Sequence, residues 1–276
     1  FYPVKTLELA RFIAEYYVCS LGEALSLFVP YQQNTVHIKE TISTDIHLSH
    51  EQQKAYDYIN VHAASLLFGD TGSGKTEIYM KLFEKSINEG KQVIFLLPEI
   101  GLTPQMKNRL KHHFGTHVAI WHSKITKKKK DEILKGLQEG SVKLIAGARS
   151  ALFLPYSDLG VIVVDEEHDE SYKSDAKPRF HTKDLAIYMA KKFDIQLVLG
   201  SATVSAGSFH KIPFFRLEST YHDTNKSYSF DDSDANLSSK IIEKISKTIN
   251  SGNQVIVFLP TRANFKYQIC TTCGKS

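Results

Sequence analysis

Apolar residues follow two different patterns along the chain, and the change between them divides it into regions. Over residues 1–45 they alternate with polar residues at helical spacing, as in VKTLELARFIAEYYVCSLGEALSLFV. This spacing predicts two short helices separated at Gly22. From residue 46 onward, short continuous apolar runs alternate with amphipathic stretches. The second pattern is typical of strands that helices cover on both faces.

Six apolar runs predict the strands of one mainly parallel sheet. They read SLLF, QVIFLL, HVAIW, VKLIAG, GVIVV and IQLVLG, and we expect the sheet to end near Leu217. The polar residues 221–236 predict a linker. A helix (KIIEKISKTINSG) and a strand (QVIVFLP) then begin a second α/β unit over residues 237–276. The predicted α/β fold therefore has one main domain at 46–220.

Composition limits the class of protein. A chain of 276 residues with 42% hydrophobic residues can form about two domains. Its 34 basic and 30 acidic residues give a net charge of +4, which permits nucleic-acid binding without favouring it. Three cysteines do not make a disulfide scaffold, and no apolar run approaches the roughly 18 residues of a membrane span. We expect a soluble cytoplasmic protein without a membrane partner and, because it begins at Phe1, an excerpt of a longer chain.

The strongest motif is GDTGSGKT at residues 69–76, between a predicted strand and a predicted helix. Its glycines let backbone N–H groups surround a phosphate, because residues with a Cβ resist the required dihedral angles. Lys75 would reach the β- and γ-phosphates of a nucleotide, and Thr76 would ligate Mg²⁺. The predicted nucleotide-binding loop consists of Gly69, Asp70, Thr71, Gly72, Ser73, Gly74, Lys75 and Thr76.

A strand that ends in acids, VIVVDEEH, places Asp165 ninety positions after Lys75. We expect this strand beside the P-loop strand, so that Asp165 can hold Mg²⁺ through water. Glu166 would then orient and deprotonate the attacking water. His168 completes a D-E-x-H box. A strand ending in solvated acids is the alternative, and the P-loop disfavours it.

Two further elements narrow the class of P-loop protein. LGSATVS contains Ser201, Ala202 and Thr203 after an apolar strand, like the S-A-T element of superfamily 2 helicases. LSHEQQKA places Gln52 upstream of the P-loop strand, where such enzymes often hold a glutamine against adenine. Each element alone is weak evidence for this class of helicase. Their order around the P-loop and the acid box is the stronger evidence. The absence of an L-S-G-G-Q-like signature argues against a transporter ATPase.

The longer motifs resemble the primosomal protein N′ (PriA) family of bacterial replication-restart DNA helicases, in superfamily 2. The resemblance rests on GDTGSGKTEIYM, LLPEIGLTPQ, WHS, GARSALFLP, VIVVDEEHDESYK, PRFHTKDLA, LGSAT and CTTCG, and it spans nearly the whole chain. It implies a RecA-like P-loop NTPase lobe, with the helical or winged-helix-like end of a DNA-binding region before it and the start of a second RecA-like lobe after it. The chain departs from the family at Val204 and in FLPTRANF.

The resemblance also implies a function: ATP hydrolysis with Mg²⁺, coupled to DNA unwinding at stalled replication forks. The implied partners are forked and single-stranded DNA, the primosome and single-strand-binding proteins. An aromatic-rich loop at residues 169–181 would link DNA binding to hydrolysis, its rings stacking on bases and its basic side chains contacting phosphate. The residues implied in DNA contact or coupling are Thr103, Gln105, Arg149, Ser150, Tyr172, Lys173, Arg179, Phe180, Ser201 and Thr203.

The last motif is the C-x-x-C pair Cys270 and Cys273, which is half of a structural zinc site. The resemblance implies that further cysteines complete a Zn²⁺ site in a longer protein.

Four lysines, Lys127–Lys130, favour a solvated helix start over a DNA-binding patch. An RNA or restriction-type translocase and an ATP-gated binding module without turnover remain alternative functions. Since the chain stops within the predicted second lobe, we expect little or no ATP hydrolysis from it alone.

Overall fold

The computed structural model describes residues 2–30, 41–98, 101–219, 227–232 and 238–258. The chain divides into two compact units, Phe1–Asp223 and Thr224–Ser276. The first unit contains the helices α1 (Val4–Tyr16), α2 (Leu21–Leu25), α3 (His50–Val61), α4 (Lys75–Asn88), α5 (Pro104–Phe114), α6 (Lys127–Glu139), α7 (Thr182–Phe193) and α8 (Ala206–Lys211). Its strands are β1 (Ala64–Gly69), β2 (Gln92–Leu96), β3 (Val118–Trp121), β4 (Leu144–Gly147), β5 (Leu159–Asp165), β6 (Gln196–Ser201) and β7 (Phe214–Leu217).

The seven strands form one sheet in the order β3-β4-β2-β5-β6-β1-β7, and every neighbouring pair is parallel. The six predicted strands are confirmed, and the sheet ends with β7 at Leu217, where the sequence pattern placed its end. All five residues of β2 are buried, because this central strand is covered on both faces. Continuous apolar runs therefore marked the strands correctly.

Two apolar clusters, one on each face of the sheet, form the core. One cluster takes side chains from α1, α2, α6 and α7, with Leu66, Ile94 and Leu197 among its strand residues. The other takes side chains from α3, α4 and α5, with Leu67 and Val93 among its strand residues. Alternate strand residues enter opposite clusters because successive side chains of a strand point to opposite faces. The first unit is thus a three-layer α/β fold, as predicted.

The N-terminal region is helical, as expected, but the predicted position of the break between its two helices was wrong. The chain turns after Tyr16, where Val18 adopts a φ of 51°. Ser20 then caps α2 through a reciprocal pair of hydrogen bonds with Glu23, and Gly22 lies inside α2. The described residues before β1 contain no strand. Both α1 and α2 pack into the core of the first unit.

The second unit contains α9 (Ser239–Asn250), which confirms the predicted helix. The predicted strand QVIVFLP is wrong as far as the structure describes it, because residues 254–258 adopt no strand conformation. A strand requires a hydrogen-bonding neighbour, and no described residue pairs with this segment. Cys270 and Cys273 lie outside the described residues. The predicted domain boundaries stay predictions.

Among the described residues, no helix is long and apolar enough to span a lipid bilayer.

Candidate nucleotide-binding site

The loop between β1 and α4 has the backbone geometry of a phosphate cradle. Gly72 and Gly74 adopt φ angles of 85° and 84°, in the left-handed region that favours glycine. A Cβ atom at Gly74 would also lie 1.9 Å from Nε2 of Gln52. The dihedral angle thus favours glycine at this position, and the Gln52 side chain from α3 occupies the space beside it. The N-terminus of α4, which carries a partial positive charge, follows directly.

Lys75 fills the centre of this loop. The residue is only 8% exposed, and its ammonium group donates hydrogen bonds to the carbonyl oxygens of Gly69 (2.6 Å) and Asp70 (3.2 Å). Burial lowers the pKa of Lys75, while the charges of Asp165 and Glu166 act in the opposite direction. The ammonium is thus held inside the cradle by two carbonyl groups.

The acid box lies at the carboxyl end of β5, but this strand is not beside the P-loop strand. β6 separates β5 from β1, which corrects the sequence-based expectation. Asp165 still reaches the P-loop helix, because the hydroxyl of Tyr79 on α4 donates to its Oδ1 at 3.2 Å. Gly200 on the intervening strand makes this contact possible, since a Cβ there would lie 1.7 Å from the Tyr79 hydroxyl oxygen.

The carboxylate of Asp165 lies in an electrostatically unfavourable position. Burial raises its pKa to about 6, and the neighbouring charge of Glu166 adds to the increase. Lys75 and the hydrogen bond from Tyr79 oppose this shift without cancelling it. The residue that follows is also unusual, because Glu166 adopts a φ of 47°. A non-glycine residue in this region costs about 1–2 kcal/mol, so the surrounding contacts must hold the acid box in this shape.

His168 joins the acid box to the S-A-T turn at the end of β6. Its Nδ1 lies 2.8 Å from Oγ of Ser201, and its Nε2 lies 3.1 Å from Oγ1 of Thr203. The Ser201 hydroxyl also donates to Glu166 at 3.4 Å. The structure therefore brings together the acid box and the S-A-T element, which the sequence treated as separate motifs.

Glu167 is a residue whose importance sequence reasoning missed. It is fully buried, and its carboxylate forms an ion pair with Lys183 at 2.7 Å. It also accepts hydrogen bonds from the backbone N–H and hydroxyl of Ser205 and from the hydroxyl of Ser208. The hydrogen bonds lower the pKa of Glu167 against the effect of burial. Its position as the x of a D-E-x-H box gave no sign of this role.

A cavity of about 1340 Å³ at the carboxyl edge of the sheet is lined by the P-loop, Asp165 and Glu166. Gln52 lines it, accepting a hydrogen bond from the Ser49 backbone and donating to the carbonyl of Gly74 at 3.3 Å. Arg109 of α5 reaches the same cavity and forms an ion pair with Glu77 of α4. No local sequence signal indicated this pair, because its members come from different helices.

Four of the residues predicted to contact DNA lie at two places. Thr103 caps α5 by accepting a hydrogen bond from the Met106 backbone at 3.2 Å, and Gln105 beside it is exposed and lines the cavity. Arg149 donates to the carbonyl oxygens of Ser171 and Lys173, and thereby fixes the aromatic-rich loop, while Ser150 is exposed.

The aromatic-rich loop differs from its prediction in one respect. Tyr172 and Phe180 are 1% and 4% exposed, so neither ring is presented to a base. The Tyr172 hydroxyl donates to the backbone carbonyl of Asp165 at 2.6 Å, and Phe180 packs edge-on against Phe153. Burial of large aromatic surface stabilises this arrangement. Lys173 and Arg179 remain exposed, with the Lys173 ammonium donating to the Arg179 carbonyl at 2.6 Å.

Comparison with known proteins shows which sequences the chain resembles. The chain is 44% identical over 274 residues to the replication restart protein PriA of Helicobacter pylori (strain J99 / ATCC 700824), covering 98% of this chain and 44% of the relative. It is 37% identical over 265 residues to the replication restart protein PriA of Bacillus subtilis (strain 168), covering 89% and 32%. It thus spans less than half the length of these relatives. These matches confirm the resemblance to the PriA family.

A DNA-bound structure of the DUF1998 helicase MrfA aligns with 63% of this chain and 27% of its own, at 16% identity and a TM-score of 0.48. At the level of sequence families, residues 49–212 match the DEAD/DEAH box helicases. This matched region contains Gln52, the P-loop, the acid box and the S-A-T turn, and it covers more than half of the chain. The chain therefore belongs to the DEAD/DEAH box helicase family.

Proposed function

We propose that this chain is the ATP-binding part of a longer DNA helicase that acts in replication restart, and that the complete helicase couples ATP hydrolysis to DNA unwinding. The observation that carries the proposal is the convergence of three elements at one edge of the sheet. Lys75, the acid box and the S-A-T turn meet there, with His168 within 3.1 Å of Ser201 and Thr203. A nucleotide site in contact with a coupling element is what an ATP-driven translocase requires.

Phosphate binding would use groups that already point into the P-loop. The two carbonyl groups that hold the Lys75 ammonium can be exchanged for the oxygens of a β- or γ-phosphate, which are stronger acceptors because they are charged. Backbone N–H groups at the start of α4 add donors and a favourable partial charge. Gln52 lies at the mouth of the same cavity, where its amide would meet the adenine edge.

The donor set near Lys75 fits Mg²⁺, a cation that prefers oxygen ligands and keeps several waters. Thr76 offers a hydroxyl group and Asp165 a carboxylate, and both line the cavity. The described residues contain no group of three or more His, Cys, Asp or Glu side chains arranged around one point, so phosphate and water would supply the other ligands. Mg²⁺ would neutralise charge that develops on the phosphates. Glu166 would orient and deprotonate water.

The proposed coupling passes through contacts on both sides of the acid box. On one side His168 touches the S-A-T turn. On the other, the hydroxyl of Tyr172 holds the backbone of Asp165, so that movement of the aromatic-rich loop would displace the acid box. Exposed Lys173 and Arg179 would contact DNA phosphate, as would Gln105 and Ser150. Stacking by Tyr172 or Phe180 would require their release from the core.

The wider proposals follow from the relatives. Forked and single-stranded DNA are the proposed nucleic-acid partners, with the primosome and single-strand-binding proteins as protein partners in the cytoplasm. Cys270 and Cys273 are proposed as two ligands of a Zn²⁺ ion.

Two measurements test this function. The first is binding of a fluorescent ATP analogue with Mg²⁺ to the 276-residue chain, which should be abolished in Lys75→Ala. The second is ATP hydrolysis, with and without forked DNA, by a chimera in which the remaining C-terminal part of the Helicobacter pylori relative follows Ser276. Stimulation by forked DNA is expected. Stimulation by RNA alone would favour an RNA translocase, and binding without turnover would favour an ATP-gated binding module.

A further inference from the structure

A second concave surface lies at the β3 edge of the sheet and shares no lining residue with the nucleotide cavity. This β3 groove has a volume of about 350 Å³. Its floor consists of apolar side chains that are buried or half-buried: Val118, Ala119, Ile120, Ile125, Ile133 and Val142. A groove with an apolar floor leaves hydrophobic surface available to a ligand.

The walls of the β3 groove come from helices on opposite faces of the sheet. α5 contributes Lys107 and Lys111, and its apolar side belongs to one core cluster. α6 contributes Lys129 and Glu132, and its apolar side belongs to the other cluster. The groove therefore opens along the sheet edge, between the two helical layers.

The backbone of β3 faces this opening. His117 and Trp121 accept hydrogen bonds from the backbone N–H groups of Lys143 (2.9 Å) and Ala148 (3.2 Å), on the β4 side. Because peptide groups alternate in direction along a strand, those of Val118 and Ile120 point away from β4. In the sheet as described, β3 is the outermost strand on that side. Val118 is 8% exposed and Ile120 is half-buried, and both line the groove. An edge strand that a groove reaches is a template for another strand.

The charges around the β3 groove favour an acidic ligand. Lys129 is already paired with Glu132 at 3.0 Å, whereas Lys107 and Lys111 form no ion pair with any described residue. The rim is therefore basic and the floor apolar, which is the complement of an extended peptide with alternating acidic and apolar side chains.

We propose that the β3 groove binds such an acidic, extended peptide as an added strand along β3. The backbone of the peptide would pair with the outward peptide groups of Val118 and Ile120. Its apolar side chains would cover the floor, and its carboxylates would meet Lys107 and Lys111. Single-stranded DNA is the less suitable ligand, because it would leave the apolar floor and the strand edge unused. The groove also has no Phe, Tyr or Trp among its lining residues for bases to stack on.

The test is fluorescence anisotropy of a short labelled peptide of alternating valine and glutamate, titrated with the 276-residue chain. The double variant Lys107→Glu, Lys111→Glu should weaken binding by about tenfold or more, since two screened charge contacts become repulsive. Lys135→Glu is the matched control, because this exposed lysine lies on α6 outside the groove. It should bind the peptide like the unchanged chain.

Two further readouts separate strand addition from general charge attraction. A peptide with N-methylated backbone amides should lose binding, and the bound peptide should slow hydrogen exchange at the amides of Val118 and Ile120. Undiminished binding of the methylated peptide would overturn the proposal, as would undiminished binding by the double variant.

If labelled single-stranded DNA binds through the two lysines and the peptide does not, the groove is a nucleic-acid contact instead. If the peptide does not bind and Ile120→Lys abolishes self-association of the chain, the occupant is a second copy. Because none of these measurements uses a nucleotide, a negative result for the peptide would leave the proposed nucleotide-dependent function unaffected.

Discussion

The ion pair beneath the acid box offers the sharpest test of how this site is held together. The carboxylate of Glu167 is fully buried and has Lys183, Ser205 and Ser208 as partners, with the Lys183 side chain only 13% exposed. Glu167→Gln removes the charge while keeping the shape and part of the hydrogen bonding. We expect the variant to lose about 3 kcal/mol of the free energy of unfolding, at the lower end of the range for breaking a buried ion pair.

The magnitude follows from what the substitution leaves behind. The Lys183 ammonium would remain in a largely buried position without a counter-charge, and its desolvation would no longer be offset. For a unit of this size, a loss of 1 kcal/mol lowers the melting temperature by about 2–4 °C, so a decrease of roughly 6–12 °C is expected. The double variant Glu167→Gln, Lys183→Met removes the stranded charge and should recover part of this loss.

The assay is urea unfolding followed by far-UV circular dichroism, together with a thermal scan. Glu170→Gln serves as the control, because this exposed neighbour lies on the same loop and its substitution should change the stability by less than about 0.5 kcal/mol. A loss below about 1 kcal/mol in Glu167→Gln would refute the reasoning. So would equal losses in the double and the single variant, because the stranded ammonium would then have no measurable cost.

Three further predictions concern the nucleotide site. Lys75→Ala should abolish binding of a fluorescent ATP analogue by the chain, and retained affinity would contradict the P-loop assignment. Glu166→Gln should bind ATP normally in the chimera with the Helicobacter pylori relative, yet hydrolyse it about 10²-fold more slowly; unchanged turnover would remove Glu166 from the catalytic role. Gly200→Ala should destabilise the chain by about 1–3 kcal/mol, because its Cβ would overlap the Tyr79 hydroxyl. Gly207→Ala, where nothing lies within 4 Å, is its control in urea unfolding, and equal stability of the two variants would disprove the clash.

Local sequence determined the elements of the fold and the chemistry of the loop. The apolar runs predicted six strands, because a strand that is buried on both faces carries apolar residues at successive positions. The GDTGSGKT spacing predicted the turn into α4. These properties depend on residues close together in the chain. The prediction from local spacing was wrong at Gly22, because several neighbouring residues determine where α1 ends and α2 begins. The break between these helices is set by Val18 and by the cap at Ser20.

The tertiary structure alone decided how distant residues meet. The order of the strands placed β6 between the P-loop strand and the acid box, because strand neighbours are chosen by packing of both faces rather than by sequence order. The same packing buried Tyr172 and Phe180, although their composition suggested an exposed loop. Glu167 and Lys183 lie sixteen residues apart along the chain, and their pairing has a large effect only because the fold removes both from water. Burial is a property of the assembled fold, so no pattern within one segment could reveal it.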